Sequence, residues 1–304
     1  MRSISKKTVI ICLGIILCAI LAGNLWRLSP PDPYSTRAIL LYKEILQNTA
    51  IVGVDFSCLT TTLGSFAAKK VSADPFTAAI MVRLLRDAEV TGDSVVAINA
   101  SGSFPGFVLA ALAACAALGI DAYVIASIGS STFGANVPGN TIADMLLKDE
   151  VRNLGHTLLA ITPGGSHDRG EELDPQELQR ISQMLEQQNI PFIRSLDVID
   201  AITMREYLFS RREASLLINI GGGHASNGGN VDLALMSGII QPDRHSFDGY
   251  GIIQSFLQKG IPVIQILNIR QLYAGYGLDF DEAGTLIGNR QRLLRNHRIN
   301  QRQR

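Results

Sequence analysis

The 304-residue chain is poor in the residues that mark a metal or redox protein: four cysteines, five histidines and one tryptophan. No paired-cysteine, H-x-x-x-H or H-E-x-x-H spacing occurs, so no metal site is expected. G-x-x-x-x-G-K and G-x-G-x-x-G are absent, which removes the usual phosphate loop and the dinucleotide fingerprint, and no cofactor is expected. The G-x-S-x-G elbow of the α/β-hydrolases is missing too. Charged residues make up only 18% of the chain, while 47% are apolar, a composition that folds around a sizeable core rather than staying disordered. Neither an internal repeat nor a long low-complexity segment is present.

Charge of one sign is missing from both ends. Residues 1–27 hold Arg2, Lys6, Lys7 and Arg27 with no acid, and residues 288–304 hold six arginines with no acid. Of 27 basic residues those ends take four and six, which leaves 17 for residues 28–287 against all 27 acids, a net charge of −10. A body this acidic is not expected to bind nucleic acid. The tail 288–304 reads either as a basic arm for an anionic surface or as a solvated end.

The N-terminus carries a long apolar run. Residues 1–7 are a cationic lead, and 8–26 ("TVIICLGIILCAILAGNLW") are free of charge and close on Trp26, where an interfacial aromatic would sit. Cleavage after Ala22 would place Ile20 at −3, a poor fit to a signal-peptidase site, and Leu17 and Ile11 before the two cysteines do not suit lipid attachment. The expectation is an uncleaved single-pass anchor with a cytoplasmic N-terminus, a proline linker at 27–35, and a body on the periplasmic or extracellular side. Of the body cysteines, Cys115 lies in an apolar helix, and a Cys58–Cys115 disulfide is allowed but not implied.

Along the body (36–287), "AIVGVDF", "SVVAIN", "DAYVIAS", "TLLAIT", "SLLINI" and "IPVIQIL" read as strands, the last of them as the final one. Helices are expected at 35–46 with Ser35 as N-cap, over "ADPFTAAIMVRLLRDAEV" with Asp74 as cap, at 105–118, over "NTIADMLLK", and over "DPQELQRISQMLEQQ" with Asp174 and Glu177 as a capping pair. Continuous rather than alternating apolar strands, separated by helices, predict an α/β fold: a mostly parallel, Rossmann-like three-layer sheet with helices on both faces.

The strands end in loops of small polar residues: "ASGSFPG", "IGSSTFGAN", "PGGSHD" and "GGGHASNGG". In an open parallel sheet, loops beyond the strands' carboxyl ends line the ligand crevice. Glycine lets backbone approach a ligand, and hydroxyls with free N–H groups hold oxyanions. The ligand-binding candidates are Ser101, Ser103, Gly106, Ser130, Ser131, Asn136, His167, Gly222, Gly223 and His224. "TTTLGS" either adds Thr60 to Thr62 to the crevice wall or simply extends a strand. A hydrolase can be sketched with Ser103 as nucleophile, His224 as base and Asp168 as orienter, although Ser101 and Pro105 replace the elbow glycines. His156, His245 and His297 stand alone and read as structural or surface residues.

The stretches "TTTLGS", "AAKKVSADPFTAAIMVRLLRDAEV", "SGSFPG" with "LAALAACAALG", "SIGSSTFGAN" and "GGGHASNGG" resemble the poly-gamma-glutamate system protein family. "GVDFSC" and the basic tail have no counterpart in that resemblance. It implies a place in making or exporting poly-γ-glutamate, a capsule-like anionic polymer, with that polymer or a glutamate-like anion as ligand and a synthase or export complex as partner. It supplies no catalytic residue. Three readings follow: an anchored accessory protein that binds a carboxylate-bearing ligand, a hydrolase or transferase acting on the polymer or its precursor, and a non-catalytic organiser of the synthase complex.

Overall fold

The computed structural model describes residues 31–243 and 249–294, together with residue 11 and residues 13–15. The expected anchor (8–26), the linker up to residue 30 and the tail from 295 therefore lie largely outside the described residues. Among the described residues, no helix is long and apolar enough to cross a membrane.

The strands are β1 (Thr60–Thr62), β2 (Val95–Ser101), β3 (Asp121–Ser127), β4 (Ser130–Ser131), β5 (Asn136–Val137), β6 (Asn140–Thr141), β7 (Thr157–Thr162), β8 (Leu216–Ile220), β9 (Gly238–Ile240), β10 (Val263–Ile266), β11 (Leu278–Phe280) and β12 (Leu286–Gly288). Six of them form the central sheet in the order β7-β3-β2-β8-β10-β9. Its pairings are parallel except for β9, which runs antiparallel to β10 at the edge. The fold is a mixed α/β one with a mostly parallel central sheet.

Strand composition explains why both faces are covered. Val96, Ile98 and Ala100 of β2 join the core on one side, with Tyr42, Leu84 and Leu109 from the Pro33–Asn48, Phe76–Asp87 and Pro105–Leu118 helices. Ala97 points the other way, to a second core built with Phe209 and Phe256 from the Val198–Ser210 and Ile252–Gln258 helices. Alternate residues of one strand thus feed two apolar layers, the reason such strands read as unbroken apolar runs. The Pro105–Leu118 helix is buried on nearly every side and ends at Gly119, whose φ of +72° suits a left-handed C-cap.

Several elements differ from expectation. Asp32, not Ser35, caps the first helix, its carboxylate accepting the Ser35 N–H at 2.8 Å. "AIVGVDF" is not a strand: its backbone makes only isolated bonds, Gly53 N–H to Phe133 C=O and Phe133 N–H to Val54 C=O, because the Asn136 side-chain amide occupies the groups a ladder would use. Asp174 caps its helix as expected, but Glu177 turns away to Arg180 and the Gly139 N–H. The Phe66–Ser72, Val198–Ser210, Ile252–Gln258 and Ile269–Gly275 helices were not expected, and a β11–β12 hairpin follows the strand read as the last. Cys58 is exposed and Cys115 buried, both as free thiols; burial pushes the Cys115 thiol up to about 12.

Candidate functional site

After β2 the chain builds outward through β3 to β7; β8 then returns to the other side of β2, and β10 builds away from it. The order of winding therefore reverses between β2 and β8, the position at which an open parallel sheet leaves a crevice at its carboxyl end. The β2 loop supplies Ser101 to Ser103 there, and the β8 loop supplies Gly221 to His224. A cavity of about 670 Å³ opens at this position, within the range of small-molecule sites. Ser101, Ser103, Ser131, Asp168, Gly222, Gly223 and His224 all line it. Thr61 and Thr62 line it as well, Thr60 to Thr62 being the short strand β1 that pairs with β4.

Four other candidates support the cavity without lining it. Gly106 packs against the Phe66–Ser72 helix: an added Cβ would lie 2.3 Å from Ser72 Oγ and 2.7 Å from Ile51 Cδ1, so the missing side chain serves helix packing. Gly106→Val is accordingly expected to lower stability by roughly 1–3 kcal/mol, an overpacking cost read by denaturant unfolding. Ser130 is fully buried and donates to the Gly102 and Ser131 carbonyls. Asn136 clamps Val54 through both its N–H and its C=O and also donates to Thr60 Oγ1. His167 reaches the site through its backbone, whose N–H donates to His224 Nδ1 at 3.1 Å.

That last bond sets the chemistry of His224. With Nδ1 accepting, the neutral ring carries its proton on Nε2 and presents a donor to the cavity. The bond depends on an unusual loop: Gly164, Gly165, His167, Asp168 and Gly170 all have positive φ, and for His167 (+53°) and Asp168 (+65°) this is a strained conformation. Arg205, buried on the Val198–Ser210 helix, holds the loop down. Its guanidinium forks onto Asp168 at 2.8 and 3.0 Å and also donates to Asn99 Oδ1, Ser127 Oγ and Thr162 Oγ1. One side chain thereby ties the ends of β2, β3 and β7 to the strained loop.

A row of amides continues from this cluster across the sheet. Asn99, Asn219 and Gln265 sit in register on β2, β8 and β10, linked by 2.7 Å bonds from Asn99 Nδ2 to Asn219 Oδ1 and from Asn219 Nδ2 to Gln265 Oε1. Asn99 also reaches Ser226 Oγ behind His224. A satisfied polar row in a buried sheet costs little and fixes strand register.

The Ser103–His224–Asp168 triad is not assembled. Asp168 is engaged by Arg205, His224 Nδ1 accepts a backbone N–H instead of donating to a carboxylate, and Ser103 Oγ accepts from the Ser131 N–H at 3.1 Å. Among the described residues, no group of three or more His, Cys, Asp or Glu side chains is placed to hold a metal ion.

Lys69 is the cavity residue that motif reading passed over. It is 1% exposed, lines the cavity, and lays Nζ 3.2 Å from the centroid of the Phe104 ring. Among the described residues, Nζ has no carboxylate partner and no hydrogen-bond acceptor. Burial lowers its pKa from 10.5 to about 7, while the Phe104 face favours the charged form and opposes part of that drop. Five of the seven residues of its short helix are buried, too short a run for an apolar period to single this lysine out. Arg205 was equally hidden, on a helix whose apolar residues follow no clear stripe.

No family model matches the chain, and no curated protein does. Among solved structures, the diaminopropionate ammonia lyase of Escherichia coli aligns at 12% identity with a TM-score of 0.18, covering 79% of this chain and 61% of that one. The chain thus spans less than two thirds of that enzyme's length, and at that TM-score the likeness carries no argument about fold or chemistry.

Proposed function

We propose that the protein is a membrane-anchored accessory component of poly-γ-glutamate biosynthesis or export, and that it binds a carboxylate-bearing ligand of the glutamate type in the crevice between β2 and β8. One observation carries the binding part: loops distant in sequence, holding Ser101, Ser103, Ser131, Gly222, Gly223 and His224, meet around one cavity at the reversal point of the sheet. Hydroxyls, glycine backbone and an imidazole donor suit oxyanions. The polymer system and the anchor rest on the motif resemblance and on the uncharged run at 8–26. A bound carboxylate would take hydrogen bonds from the Ser101 and Ser103 hydroxyls and from His224 Nε2–H, in a site that holds rather than cleaves.

The test is a titration of the full-length protein in detergent micelles with γ-linked glutamate oligomers. Ser103→Ala combined with His224→Ala is expected to weaken binding about tenfold, the sum of two hydrogen bonds at roughly 0.5–1.5 kcal/mol each, with the thermal midpoint nearly unchanged. Equal affinity in wild type and double variant would move the site elsewhere.

A further inference from the structure

Lys69 is a buried cation with no ion-pair or hydrogen-bond partner among the described residues. The other charged or titratable side chains of the cavity are Asp168, Glu172, Arg205, Arg270 and His224. Asp168 and Arg205 satisfy one another, Arg270 pairs with Asp279 and Glu282, and Glu172 accepts the Ser166 N–H at 2.7 Å. His224 Nδ1 is taken by the His167 N–H. Lys70, next to Lys69, packs its stem where a Gly284 Cβ would stand, away from this cavity. Among the described residues no carboxylate pairs with Lys69, and Glu172, exposed at the far side of the 164–170 loop, shares the cavity without an ion-pair partner.

Its neighbour sharpens the point. Phe104, whose ring carries Nζ, is the residue that opens the Pro105–Leu118 helix, and that helix start has no side-chain cap. A helix of this length places partial positive charge at its first turn. An ammonium without a counter-ion near that turn is electrostatically unfavourable, and an oxyanion at Nζ relieves it; Pro105 has no N–H and Gly106 does not line the cavity, so the helix acts through its field and not through a hydrogen bond. Ser101 and Ser103 line the same cavity.

We propose that Lys69 is the ionic subsite of the cavity, pairing with one oxyanion of the ligand at the start of the Pro105–Leu118 helix. This deepens the glutamate-binding reading by naming the charged group that receives a carboxylate, and the chemistry it commits to is that of any desolvated oxyanion. Binding must then be linked to protons, because an arriving anion favours the charged form of Lys69. In the empty protein that form is partly lost above pH 7, so the complex takes up protons at pH 8 and hardly any at pH 6.

The experiment is calorimetric titration of the full-length protein with sulfate, L-glutamate and a γ-linked glutamate oligomer. It is run at pH 6 and pH 8, each in two buffers of different ionisation enthalpy. At least one of these anions is expected to bind with uptake approaching one proton at pH 8 and little at pH 6. Lys69→Met is expected to abolish the uptake and weaken that anion at least tenfold. Sulfate binding with uptake while both glutamate probes fail would keep the Lys69 subsite and remove the glutamate reading. Glutamate or oligomer binding without uptake, and undiminished in Lys69→Met, would keep the ligand class and overturn the subsite. Failure of all three anions to bind overturns it as well. The wild-type uptake needs no variant, so a poorly folded Lys69→Met would not blunt the test.

Discussion

Arg205→Met is expected to destabilise the protein by about 3–5 kcal/mol, the cost of removing one partner from a buried ion pair. The size follows from what is left behind. Asp168 is 5% exposed and would lose both of its bonds to the guanidinium, while Asn99 Oδ1, Ser127 Oγ and Thr162 Oγ1 would each lose a donor. Methionine fills much of the stem's volume, so the loss reports polar bonds rather than a cavity. Denaturant unfolding measures it. An Arg205→Met, Asp168→Leu double variant, which removes both partners, should recover part of the stability, because the uncompensated carboxylate is gone. A single-variant loss below about 1 kcal/mol would mean that solvent reaches Asp168 and that the pair does not hold the loop. Function should respond as well. Without Arg205 the left-handed backbone at His167 and Asp168 loses its anchor, His224 Nδ1 loses its fixed donor, and the ring is free to turn. Any anion affinity that depends on Nε2–H should fall with it.

Lys69→Met should act in the opposite direction, making the empty protein more stable while disabling its cavity. The sign follows from proton binding. Lysine in the unfolded chain keeps its proton up to about 10.5, whereas burial lowers the folded-state value to about 7. Below pH 7 both states are protonated and the native state bears the whole cost of the buried ammonium. Between 7 and 10.5 the unfolded state binds more protons, so wild-type stability from this residue rises with pH across that window. The advantage of Lys69→Met is therefore largest at pH 7 and below and shrinks toward pH 10. A lowering of this size corresponds to roughly 1.4 kcal/mol per pH unit, and the Phe104 contact offsets part of it, which leaves an expected gain of about 2–4 kcal/mol at pH 6. Thermal unfolding of both proteins at pH 6 and pH 9.5 checks the magnitude and its direction with pH. A destabilised variant at pH 6 would show that Lys69 is structural. A group that costs stability in the empty state is what a binding site retains for its ligand.

Arg205 and Lys69 were less accessible to sequence reading than the glycine- and serine-rich loops beside them. The loops at Ser101–Ser103 and Gly222–His224 stood out because each follows a β-branched apolar run and holds more glycine and serine than a turn needs. Their meeting also followed from the parallel α/β pattern, since all such loops leave the same edge of a sheet. Lys69 and Arg205 gave no such signal. A lysine inside "AAKKVS" and an arginine in "VIDAITMREYLFS" carry no mark of burial, because local composition does not report what another element will lay on top. Asn136 and Ser130 erred the other way. Small polar loop residues satisfy a neighbouring backbone as readily as a ligand, and only the position of Val54 and Gly102 decides which.

Local chemistry was enough for the elements themselves. The β2, β3, β7 and β8 strands, the Pro105–Leu118 helix and the Asp174 cap are set by β-branching, apolar continuity and capping residues acting within a few positions. Strand order, the Arg205 clamp on the strained 164–170 loop and the unpaired ammonium of Lys69 were decided only in three dimensions. Each is an interaction between segments tens of residues apart. Burial, which turns an ordinary charge into either a clamp or an empty anion site, is a property of the packed chain and not of any one stretch of it.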